Sequence, residues 1–327
     1  MTGRVVVVGD VMLDVRCRLA APIAPGDDTP AAITSHAGGA GANAAAGLAR
    51  LGPVVDLIAR VGDDEAGRAA RAELTARGIT CRFAVDPARP TGRVIVLVEP
   101  DGERTMVSDR GANAGLAAAD IVLPPGPGHL HLSGYVLLDE VSRPAGRAAR
   151  RAARAAGWTT SVDPQTARGV TAAGADTFLG WVAGVDLLLP NEAECVALGG
   201  PERLLAAVGA VAVSRGAGGA SWYSPAGTDH VPVEPAGTSA TGAGNALAGT
   251  ATGTVTTTVT GTATRIVTGT DAVIRTDMET DTTGAGDAFD AGFLAAWLRG
   301  ADPRRALGDA VAAGTAVAAR AGARPAG

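Results

Sequence analysis

The first apolar run of the chain, Arg4 to Val8 (RVVVV), is continuous and β-branched, the pattern of a strand buried on both faces of a parallel sheet. Gly38 to Gly52 (GGAGANAAAGLARLG) predicts a Gly-rich turn that feeds an Ala/Leu helix. A strand follows in VVDLIARVG, then a helix in DEAGRAARAELTARGI, with Gly78 where a C-terminal stop belongs. TGRVIVLVEPDGERTMVSDRGAN reads as two strands joined by a Pro100-Asp101-Gly102 turn. From LHLSGYVLL onward, strands and helices alternate, and the chain ends in two helices broken near Gly300 to Pro303. Repeated βα units predict an α/β fold, a mostly parallel sheet with helices on both faces. The early hairpin breaks that rhythm, so strands from about 15–33 and 91–110 are assigned to a small β lid. One domain is expected over 1–327. It is interrupted by a Thr/Gly/Ala-rich insert at 237–280, which has almost no large apolar residue to anchor it.

Composition narrows the chemistry. Hydrophobic residues make up 46% of the 327 and charged residues 19%, as in a globular protein, while aromatics are only 3%, so Ala, Val and Leu must build the core. The net charge of −5 argues against nucleic acid as a partner. All 28 basic residues are arginine, which excludes a Lys-containing Walker loop and leaves phosphate contacts to Arg, backbone amides or a metal. Three scattered cysteines suggest neither disulfides nor zinc. The run Val5 to Val8 is too short for a signal-peptide core and no later run could span a membrane, so the expectation is a cytoplasmic protein.

Near the C-terminus, DTTGAGDAFDAG (Asp281 to Gly292) leads small residues into a helix with apolar positions Phe289, Phe293, Leu294 and Trp297. Free amides at such a helix start favour an anion. Asp287 in the first turn would repel that anion, so it either accepts a proton from an attacking hydroxyl or, as the motif alone would suggest, only favours the helix dipole. A near-copy, SATGAGNALAG (Ser239 to Gly249), has Asn245 in place of the acid and no amphipathic helix after it. Elsewhere the bland readings come first. His129 and His131 alternate on a strand as structural residues, Arg147, Arg150, Arg151 and Arg154 form a solvated helix face, and Asp163-Pro164 is a strand-ending turn with a functional alternative open.

The Asp287 segment resembles the second signature of the ribokinase (PfkB) family of small-molecule kinases, and further pieces recur in family order. GDVMLD resembles the substrate turn, which implies that Asp14 binds substrate hydroxyls. GGAGANAAAGLARLG resembles the first signature, implying Gly38, Gly39 and Asn43 in the substrate pocket, and LSGY adds Ser133. DRGAN (Asp109 to Asn113) also stands where relatives have it. PNEAE matches Asn-x-x-Glu, which implies that Glu194 organises Mg²⁺ through water, with Asn191 nearby. VSRGAGG implies nucleotide contacts from Ser214, Gly216 and Gly218. The resemblance thus implies a ribokinase-like fold and an ATP- and Mg²⁺-dependent kinase. Its general base would be Asp287, and its anion hole the amides of Gly284, Ala285 and Gly286. It leaves open K⁺ at Asp281 and Thr283, a homodimer through the lid, and a nucleoside in place of a sugar acceptor.

The chain departs from the family at one place. By spacing after HVPVEP, Gly242-Ala-Gly244 stands where relatives have the anion hole; by chemistry, only the Asp287 copy can serve. Residues 237–280 are therefore read as an insertion by partial duplication. A catalytically impaired member kept for binding or regulation is the competing reading.

Overall fold

The five residues of β1 (Arg4–Val8) explain their own apolarity. Val5 and Val7 pack on one face of the sheet and Val6 and Val8 on the other, all fully buried. Burial of each contributes roughly 1.5–3 kcal/mol. The computed structural model describes residues 3–101, 103–233 and 284–318. The insert expected at 237–280, with Gly242, Gly244 and Asn245, and the candidate cation residues Asp281 and Thr283 all lie outside the described residues.

In chain order the elements are β1, β2 (Met12–Leu19), β3 (Ala31–Gly38), α1 (Ala40–Arg50), β4 (Val54–Gly62), α2 (Glu65–Ala76), β5 (Thr80–Asp86), β6 (Gly92–Val98) and β7 (Arg104–Asp109). Next come β8 (Gly128–Ser133), α3 (Gly134–Leu138), α4 (Arg143–Ala155), β9 (Thr159–Asp163), α5 (Ala167–Ala173), α6 (Ala175–Val182), β10 (Leu187–Leu188), α7 (Glu192–Ala197) and α8 (Pro201–Leu205). β11 (Ala210–Ser214), β12 (Ala220–Ser224), β13 (Gly227–Val231), α9 (Ala285–Leu298) and α10 (Pro303–Ala318) complete the described chain.

Among the described residues the main sheet has nine strands in the order β13-β12-β11-β10-β9-β8-β1-β4-β5. It is parallel from β5 through β11 and antiparallel at β12 and β13. One face packs against α1, α9 and α10, the other against α3 to α7. With so few aromatics, the stack of Trp222 on Phe293, 5.6 Å between centroids, matters: it seats α9 on β12.

β3, β2, β6 and β7 form the separate four-stranded lid. Its first pair occupies 12–19 and 31–38, wider than the expected 15–33, so Asp14 and Gly38 belong to lid strands. Nothing breaks the strand pattern between Met12 and Val15, which is why the boundary was not legible. By register, Val15, Ile33, Ile95 and Val107 share one lid face, while Asp14 faces the other way with Met12, Val96 and Val98. Ile33, Ile95 and Val107 are exposed.

Candidate active site

The C-terminal ends of the parallel strands carry the polar groups, the usual location for ligands in open α/β sheets. Two helix starts meet there. α1 begins after Gly39, whose φ of 96° suits glycine and whose Cβ position is filled by the Asp10 carbonyl, 2.6 Å away. α9 begins after Gly284, at φ 76°. The first intrahelical bond of α9 runs from the Ala288 amide to the Gly284 carbonyl, so the amides of Ala285 and Gly286 ahead of it have no acceptor within the helix. Across the two starts, Asn43 Nδ2 donates to Asp287 Oδ2 at 3.0 Å, joining residues 244 apart in the chain.

On the lid side, the Asp14 carboxylate folds over Gly38, where a Cβ would lie 2.2 Å from Asp14 Oδ2. No larger residue fits at 38 with Asp14 so placed. Ser133 is buried at the end of β8, its hydroxyl without a partner among the described residues. Near it, Arg110 grips Asp10 with both terminal nitrogens (3.1 and 3.2 Å) and Asp139 with Nε (3.2 Å).

A cavity of about 180 Å³ is lined by Asp163, Gln165, Leu189, Asn191, Glu194, Ser214, Gly284, Gly286, Asp287 and Asp290. Asn191 caps α7 and donates from its backbone N (2.9 Å) and Nδ2 (2.7 Å) to Glu194. Burial still pushes the Glu194 carboxyl up to about 7. Burial, and then the charges of Glu194 and Asp287, raise Asp163 well above the usual carboxylate range. Asp290 is raised likewise by burial and by Asp163, and its Oδ2 has no hydrogen-bond partner among the described residues. Below it lie two neutral histidines. Burial lowers His129 to about 3 and His131 to about 4, and both bond to Ser161 (2.7 and 2.9 Å). The structural reading of these histidines holds geometrically.

Four crowded carboxyls with an orphaned oxygen fit a divalent cation: they are an excess of buried negative charge that a cation would offset. Among the described residues no three His, Cys, Asp or Glu side chains are arranged to enclose a metal alone.

A second cavity of about 330 Å³ shares Ser214 and Gly286 with the first and continues over Gly216, Ala217, Gly219, Ala285, Phe289 and Gly314. Its apolar, small-residue wall fits a flat ring beside the helix start. Gly216 lines it but Gly218 does not; Gly219 takes that place, at φ 82° and with the Val231 carbonyl 2.0 Å from its Cβ position. A larger groove of about 430 Å³ runs along α1, α9 and α10, without a carboxylate cluster or spare amides.

The structure brings Asp287, Gly284, Gly286, Asn191, Glu194 and Ser214 to one cavity, with Asn43 hydrogen-bonded to Asp287. The sequence reading takes Asp163 first as a turn residue and does not single out Gln165 or Asp290, which line the same cavity. Asp290, one helical turn after Asp287, could have been found from the i, i+3 spacing.

A profile of the pfkB family carbohydrate kinases matches residues 2–256 and 255–326, its two pieces meeting within the span read as an insert. An ATP-dependent ribose-1-phosphate kinase of Halopiger xanaduensis is 32% identical over 330 residues, 99% of this chain and 94% of the relative. Adenosine kinase from Sinorhizobium meliloti superposes with a TM-score of 0.76 at 22% identity, covering 99% and 96% of the two chains. A candidate ribokinase II of E. coli in complex with ATP and Mg²⁺ gives 0.75 at 24% identity, covering 98% and 94%. Among the described residues no helix is long and apolar enough to cross a membrane. The fold is ribokinase-like, and the chain belongs to the PfkB family of carbohydrate kinases, phosphotransferases that act on a hydroxyl acceptor.

Proposed function

We propose that this chain is an ATP-dependent kinase that transfers the γ-phosphoryl group to a hydroxyl of a small sugar or sugar-like acceptor. The observation that carries the reading is the Asn43–Asp287 hydrogen bond at the N-terminal turn of α9. Asp287 is thereby aimed and within reach of both helix starts, where it takes the hydroxyl proton as the new P–O bond forms. The amides of Gly284, Ala285 and Gly286 hold the transferring phosphoryl oxygens. Ser214 and Gly216 border the nucleotide. Asp14, Gly38, Gly39 and Ser133 border the acceptor. Glu194 and Asn191 would hold Mg²⁺ through water rather than directly, and it would neutralise charge on the phosphates. K⁺ at Asp281 and Thr283 rests on the family resemblance alone.

The likeness to a ribose-1-phosphate kinase over nearly the full chain puts phosphorylated pentoses first among acceptors, ahead of fructose and nucleosides. The apolar strip of Ile33, Ile95 and Val107 supports a second copy of the chain on the outer lid face. The reading as a binding protein is favoured by one observation, the break in the family match at 255–256. A coupled assay with Mg-ATP across sugars, sugar phosphates and nucleosides separates the two: turnover of one acceptor class supports the kinase. Acceptor binding without phosphorylation of any would support the alternative.

A further inference from the structure

Among the described residues, Gln165 is the one non-glycine with positive φ, at 74°. A side chain makes that left-handed conformation costly, so something nearby must over-determine it. The turn is wedged on both sides. Gly134 presses on it so closely that a Cβ would lie 2.4 Å from the Pro164 carbonyl and 2.6 Å from that of Asp163. Thr166 follows at once as the N-cap of α5.

In this conformation Gln165 reaches back to Asp163 twice. Its backbone N donates to Oδ1 at 2.8 Å, and its Nε2 donates to Oδ2 at 2.6 Å. Gln165 therefore engages both oxygens of the carboxyl, which also shares a side-chain hydrogen bond with Asp290. Each oxygen keeps lone pairs to spare, and the group lines the cavity with Glu194, Asp287 and Asp290. Glycine would adopt this φ without strain but would lack Nε2, so the choice of glutamine points to the amide.

We propose that Gln165 is a positioning residue: it holds the Asp163 carboxylate aimed at the divalent cation and phosphates of the reacting site. This rests on the kinase reading of that cavity, and it assigns the strand-ending Asp163-Pro164-Gln165 turn to the working machinery.

The test compares Gln165→Gly and Gln165→Asn with the parent protein. Mn²⁺ affinity is measured by calorimetry in the presence of a non-hydrolysable ATP analogue, alongside kcat, KM and thermal unfolding. Gln165→Gly should keep or raise Tm, because the backbone strain is gone, while Mn²⁺ affinity drops about tenfold, as for other partners that orient metal-site ligands. Gln165→Asn, which tolerates the left-handed region and retains an amide, should recover part of that loss. In an Asp163→Ala background the Gly substitution should cause no further loss, since Gln165 acts through Asp163. Mn²⁺ affinity unchanged within about twofold, or an equal loss in the Asp163→Ala background, would overturn the proposal. Mn²⁺ binding needs no acceptor, so a failure here is distinguishable from a failure to phosphorylate any acceptor.

Discussion

Asp287 is aimed by a hydrogen bond from Asn43, itself fixed in the first turn of α1. A hydrogen bond to a charged group contributes about 1.5–3 kcal/mol, and about 1.4 kcal/mol is a tenfold change in rate. Asn43→Ala should therefore lower kcat roughly tenfold or more, with KM for ATP little changed. Steady-state kinetics read this; an unaltered kcat would remove Asn43 from the aiming role. These two residues were legible because the Gly-rich turns around them carry a residue pattern with few other uses. Asp163 was not, since an aspartate before proline at a strand end is ordinarily a turn. Gln165 was not either, because a φ angle leaves no trace in a residue type that rarely adopts it. Asp290 hid inside an apolar stretch, where an acid reads as an interruption rather than as a wall of the site.

At the scale of elements, α9 lines the carboxyl cavity at one end and packs in the core along its length. Gly286 sits in its first turn, faces both cavities, and has no atom within 4 Å of its Cβ position. Gly286→Ala should thus leave thermal stability equal or slightly higher, since alanine favours helix by about 1 kcal/mol. The added methyl enters the space assigned to nucleotide, so KM for ATP should rise about tenfold. Loss of stability with KM unchanged would argue that the cavity has another use. The strands β1 and β4 and the helices α1, α2, α4, α9 and α10 were readable from periodicity. β5 was not, because TCRFAVD mixes polar and apolar residues without clean alternation. The short α5 and α6, separated by Gly174 at φ 85°, were too brief to show a helical period.

For the whole molecule, buried charge sets the pH response. Glu194, Asp163 and Asp290 have raised carboxyls, so their contribution to stability is complete below the ordinary carboxylate range and is lost as pH rises through the folded value, about 7 for Glu194. His129 and His131 have the opposite sign. Lowered to about 3 and 4, they contribute fully above the ordinary value of 6.5 and lose that contribution as pH falls. Above pH 7 Glu194 still titrates, while the two histidines are already neutral. The ligand-free protein should then lose roughly half a kcal/mol from Glu194 alone between about pH 7 and 8.5. A divalent cation displaces protons from such groups, so stabilisation by Mg²⁺ with a non-hydrolysable ATP analogue should grow across that range. Thermal unfolding at several pH values checks it, and a pH-independent gain would place the cation away from the carboxyls.

We propose that of the two near-identical Gly-Ala-Gly turns only the one followed by Asp287 works, because of that acid. The Asp287 copy opens the helix α9, and its carboxylate is held by Asn43. The most direct measurement is kcat for the preferred acceptor in Asp287→Asn and Asn245→Ala, side by side. Loss of about two to four orders of magnitude in the first, with the second unchanged, is the expected result. Retained turnover in Asp287→Asn, or its loss in Asn245→Ala, would contradict it.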